Sequence, residues 1–157
     1  MMKIKEVLII LIVLAIDLIT KTIVQTNIAL HREIEIIKGF FYLTYTKNIG
    51  AAWSILKGQR VFLSAIAIFA IVAMVTWLFK NKNEKFYIRI PVCLMIAGAL
   101  GNLIDRVYFG YVRDFLGFII FGYNFPVFNV ADMALSIGVA ILFIVTLFEK
   151  EGVNGES

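Results

Sequence analysis

Four long apolar runs limit what this chain can fold into: about Val7 to Ile28, Val61 to Phe79, Phe86 to Asp105 and Val130 to Phe148. Each approaches the ~20 residues that an α-helix needs to cross a ~30 Å hydrocarbon core. A water-soluble core cannot absorb them. Of 157 residues, 61% are hydrophobic and 17% charged, whereas soluble domains carry roughly 25% charged residues, so too little polar surface remains to cover such a core. Lipid must be the solvent for much of the surface. The expected fold class is an all-α membrane protein, a single domain over 1–157 with four transmembrane helices.

The N-terminal "MMKIKEVLIILIVLAIDLITK" starts like a secretory leader, but no small-residue cleavage site follows and Asp17 interrupts the apolar run. A retained anchor is expected. Lys3, Lys5, Lys80, Lys82, Lys85 and Arg89 crowd the short segments on the side of the termini, which predicts cytoplasmic termini and a multi-pass protein. The two long connections, about 29–60 and 106–129, then lie outside. Connections of that length are usually ordered and functional.

In the first of them Ile34 and Ile36 alternate with Glu33 and Glu35, and β-branched and aromatic residues continue past Gly39. That alternation predicts a small extracytoplasmic β-sheet. The second contains "DFLGFIIFGYNFPVF", whose aromatic rings suit a segment lying among lipid headgroups.

A net charge of +4 raises the question of nucleic acid, but the basic residues are scattered rather than gathered in a stripe. Membrane lipids are the expected partners of these bases, and nucleic acid is not. Cys93, the lone cysteine, falls in an apolar run and reads as a small hydrophobe. His31 is the lone histidine, so a Ser-His-Asp arrangement or a zinc site lacks its parts. No metal or other cofactor is expected.

Aspartates at the membrane boundary are the remaining chemical resource. Asp17 has Lys21 four residues on, a spacing that pairs them on one helix face in a structural role. In "AGALGNLIDR", Ala97 and Gly101 form a face that lets another helix approach closely. Asn102 and Arg106, one turn apart, should seek acceptors from another segment, while Asp105 points elsewhere, towards solvent or a headgroup-level base. Asp132 fits a helix start capped by Asn129. It equally fits one half of a carboxylate pair with Asp114, in which one member keeps a proton at neutral pH and the two activate a water. A third reading makes Asp17, Asp105 and Asp132 stations on an ion path through the bundle.

Five blocks, "DLITK" (17–21), "NIGAAW" (48–53), "GALGNLIDR" (98–106), "VRDF" (112–115) and "FNVAD" (128–132), stand in an order and spacing that resembles bacterial lipoprotein signal peptidase, or signal peptidase II. The resemblance spans nearly the whole chain. It implies an aspartic endopeptidase of the bacterial cytoplasmic (inner) membrane that removes the signal peptide of a prolipoprotein just before its diacylglyceryl-modified cysteine. The motif positions imply Asp114 and Asp132 as the catalytic pair, near the extracytoplasmic face. Asn48, Asn102, Arg106 and Asn129 would hydrogen-bond the pair or the substrate, and Gly50 and Ala51 would let a substrate chain come close. Asp17 and Lys21 would support the site. The resemblance also implies the extracytoplasmic sheet, a short interfacial helix between the last two spans, no cofactor, and a monomer acting on diacylglyceryl-modified prolipoproteins. Leu18, Ser54 and Gly117 depart from residues common in that family, none of them at the two aspartates.

Overall fold

The computed structural model describes residues 2–50 and 56–154. Its helices are α1 (Ile4–Asn27), α2 (Arg60–Lys80), α3 (Phe86–Phe109) and α4 (Val130–Asn154), and its strands are β1 (Glu33–Ile37), β2 (Phe41–Asn48), β3 (Val112–Ile120) and β4 (Tyr123–Phe128). All four helices are long and apolar enough to cross a membrane. Their outward faces carry side chains such as Leu11, Ile19, Phe69, Val72 and Phe143, which water would not tolerate in such density.

Helix α3 is the centre of the bundle, packed against the other three. Small residues bring α4 close to it. A Cβ on Gly98 would collide with the Ala131 carbonyl and with Leu135, and one on Gly138 would collide with Met95 and the Pro91 carbonyl. Helix α2 is the least embraced, with Leu78, near its C-terminus, as its one buried residue. At that same end Arg89 donates from Nε to Glu6 Oε1 at 2.6 Å and from Nη2 to Glu6 Oε2 at 3.0 Å and the Leu78 carbonyl at 3.1 Å. Arg89 also donates to the Asn81 carbonyl, so one buried guanidinium ties α1, α2 and α3 together.

At the other end the two long connections do not fold separately. They form one antiparallel four-stranded sheet in the order β1-β2-β3-β4, with β2 and β3 as its central pair. Expected as a short interfacial helix, the stretch after α3 is instead a hairpin of strands, because β2 offers it a paired edge. Gly110, in the left-handed conformation at φ 83°, ends α3 and lets the chain turn into β3. Pro126 sits in β4, an edge strand, where the lack of an N–H costs no interior ladder bond. The sheet's underside rests on the bundle through Val24, Ile28, Tyr45 and Phe115.

Candidate active site

Register places the first group. In the β2–β3 pair Thr46 faces Asp114 and Leu43 faces Leu116, so β2 has one residue more than β3 over that interval. Such a bulge bends the strand and re-aims its side chains. Asn48, at the end of β2, thereby donates from Nδ2 to Asp114 Oδ2 at 3.0 Å.

The start of α4 places the second. Asn129 Oδ1 accepts from the Asp132 N–H at 2.9 Å while the Asn129 N–H donates to Asp132 Oδ2 at 3.2 Å, a reciprocal cap. The Asn129 side chain also donates to Asp114 Oδ1 at 2.6 Å. One residue thus touches both carboxylates, Asp114 through its amide and Asp132 through its backbone. On the side of α3, Asn102 Nδ2 donates to Asp132 Oδ1 at 2.7 Å, and its Oδ1 accepts from Asn129 at 3.2 Å and from Lys21 Nζ at 3.1 Å.

Lys21, fully buried, also lies 2.8 Å from Asp17 Oδ2 and 3.4 Å from Asp105 Oδ2. The intrahelical Asp17–Lys21 pair is therefore present, and Asp17 does more: its Oδ1 accepts the Ala131 N–H at 2.8 Å, one of the donors a helix start leaves unpaired. Gly101 makes room for it, since a Cβ there would strike the Asp17 carboxylate.

Of the two partners expected for Asp105, solvent and a base, it has the base. It does not face solvent: it is fully buried and bound to Arg113, whose Nη2 donates at 2.7 Å and whose backbone N–H donates at 2.9 Å. Arg113 further reaches Gln25 Oε1 at 2.9 Å. The sheet folds back over the end of α3 and covers a helix face that would otherwise meet water. Arg113 and Gln25 are supporting groups that the sequence reading missed, because a contact between a helix end and the next strand leaves no periodic trace.

Arg106 donates from Nη2 to the Gly50 carbonyl at 3.1 Å, so the α3 guanidinium holds the segment after β2 rather than a carboxylate. Gly50 N–H donates to Asn48 Oδ1 at 2.9 Å, which orients the amide that faces Asp114. Ala51 lies outside the described residues, as do Ala52 and Ser54. Gly117 lies opposite Tyr42, whose ring occupies the place a side chain would need.

Asp17, Asp105 and Asp132 do not step through the bundle at separate depths. All three connect to Lys21 or Asn102 at one end of it. Among the described residues no three His, Cys, Asp or Glu side chains gather as a metal cluster.

The electrostatics favour a retained proton. Burial, and then the negative charge of Asp132, push the Asp114 carboxyl up to about 7, against hydrogen bonds from Asn48 and Asn129 and the charge of Lys21. A carboxyl that holds a proton near neutrality, beside a second carboxylate, can serve as an acid while its neighbour serves as a base.

Comparison with known proteins bears on this geometry. A family model described as signal peptidase (SPase) II matches residues 9–148. Lipoprotein signal peptidases of Staphylococcus aureus strains MRSA252 and JH9 are each 40% identical over 142 residues, covering 90% of this chain and 87% of theirs. Among solved structures, one described as a bacterial membrane enzyme at 2.3 Å resolution superposes with a TM-score of 0.88 at 38% identity, covering 94% of this chain and 90% of that one. A second, at 1.9 Å, gives 0.82 at 40% identity, with coverage of 91% and 92%.

Proposed function

The chain belongs to the signal peptidase II family, and from that premise we propose that Asp114 and Asp132 are the catalytic dyad of an aspartic endopeptidase. Its function as a lipoprotein signal peptidase, a hydrolase with four membrane-capable helices, follows from the family. The substrates are prolipoproteins. In our reading the bond cut lies just before the diacylglyceryl-modified cysteine, and the termini are cytoplasmic, so the dyad works near the extracytoplasmic face.

The mechanism needs one proton and one water. The dyad shares a single proton, held at Asp114 near neutral pH, and binds a water between the two carboxyl groups. The ionised carboxylate takes a proton from that water as its oxygen adds to the scissile carbonyl carbon. The protonated partner gives its proton to the cysteine nitrogen as the C–N bond breaks. Asn48, Asn102 and Asn129 fix the carboxyl groups in place, Arg106 with Gly50 and Ala51 shapes the substrate's approach, and Asp17 with Lys21 anchors the start of α4.

The observation that carries this reading is Asn129, which bonds Asp114 at 2.6 Å and Asp132 at 3.2 Å and so holds the two groups at one place. The test is cleavage of a purified lipid-modified prolipoprotein in detergent by Asp114→Asn and Asp132→Asn. Both variants should fold and lose turnover by 10³-fold or more, on the order expected when a chemical group is removed outright. Turnover within about tenfold of the parent by either folded variant would remove that residue from the chemistry.

A further inference from the structure

We propose that the lipid-facing groove between α2 and α3, at the end of the bundle that carries the sheet, is a selective site for an anionic phospholipid whose phosphate Arg60 binds. This inference rests on the protein's residence in a membrane and is independent of the dyad.

Helix α2 buries one residue, Leu78, near its C-terminus, while near its N-terminus Arg60, Val61, Ser64, Ala65 and Ile68 line a groove together with Val107 of α3. The groove has a volume of about 390 Å³, and its apolar walls are Val61, Ala65, Ile68 and Val107. Val61 is 82% exposed and Val107 55%, so acyl chains, not protein, cover these walls in a bilayer.

The polar groups stand at one place. Arg60 and Ser64 line the same groove, both within the first turns of α2. Arg60 Nη2 donates to the Val107 carbonyl at 2.8 Å, which holds the guanidinium across the mouth of the groove and leaves its other N–H groups to spare. Among the described residues no carboxylate pairs with Arg60, and the first turn of α2 carries no acid. An apolar channel with one uncompensated guanidinium at its head matches an acyl chain with a phosphate above it. A zwitterionic headgroup offers the same phosphate but cancels it with its own cation, so net anionic lipids should be preferred.

The experiment uses the full chain reconstituted in nanodiscs of equal parts phosphatidylglycerol and phosphatidylcholine, with retained lipids read by native mass spectrometry. The parent should retain phosphatidylglycerol over phosphatidylcholine by roughly fivefold, which is about 1 kcal/mol at 1.4 kcal/mol per decade. Arg60→Gln should bring the ratio near one, Arg60→Lys should keep most of it, and Ala65→Phe, which fills the groove, should lower retention of both lipids. A parent ratio near one, or an unchanged ratio in Arg60→Gln, would overturn the proposal. It would fall equally if Ala65→Phe left retention unchanged and instead raised KM for a lipid-modified prolipoprotein in lipid-free detergent, because the groove would then hold the substrate's own chains.

Discussion

Asp114 sits where the sheet meets the bundle, and its environment gives the enzyme a pH profile. Activity that needs a proton on the proposed dyad should decline as pH rises through about 7, the position to which burial and Asp132 push this carboxyl. The Asn48 amide bonds the charged form and so favours it. Asn48→Ala should therefore move the alkaline limb of kcat/KM to higher pH, and an unmoved limb would show that Asp114 does not set it. Stability has a related dependence. Folding raises the carboxyl from 3.8 to about 7, so the folded state holds more protons than the unfolded one between those values, and stability falls as pH rises across that window. Asp132 reads in sequence both as a capped helix start and as half of a proposed pair; the structure shows the cap, and the capping Asn129 bonds Asp114 as well.

Among the elements, the helices were the most legible because a bilayer imposes both a length and a composition on whatever crosses it. The β1–β2 hairpin was legible from the Glu and Ile alternation of a strand that remains exposed along its whole length. Strand β3 was not. Its residues Val112 to Phe115 are all buried, covered by the bundle on one side and by site residues on the other, so the period of two that marks a half-buried strand is missing. Its partner β2 also lies far upstream, and a long-range pairing writes nothing local. The α3–α4 seam carries the prediction at this scale. Gly98→Val would push a side chain into the Ala131 carbonyl, a backbone atom that cannot rotate away, and should destabilise the fold by about 1–3 kcal/mol. Buried Cys93, the lone cysteine, provides the readout: its modification by a thiol-reactive dye on heating should begin at lower temperature in the variant.

Over the whole molecule, polar side chains are sorted to the two ends. One end holds Asp17, Asp105, Asp114 and Asp132 with Asn48, Asn102, Asn129 and Lys21; the other holds the buried Glu6–Arg89 pair, with apolar packing of Ile10, Leu78, Val92 and Ile96 nearby. Glu6→Gln leaves the Arg89 charge without its counter-charge in a covered place and should cost about 3 kcal/mol of stability. Turnover at low temperature should persist in that variant, since nothing at the dyad touches the pair; lost turnover in a folded variant would mean that the two ends communicate. The chain also divides at the tight connection between α2 and α3 into two stretches, each with two helices and two strands, and only the β2–β3 pairing stitches the two halves of the sheet. Both aspartates belong to the second stretch, and Asn48, Asp17 and Lys21 to the first. A chain cut between Lys80 and Phe86 is therefore a split enzyme: neither fragment should cleave substrate alone, co-expression should restore cleavage, and a newly made copy stays harmless until its last two helices have been inserted.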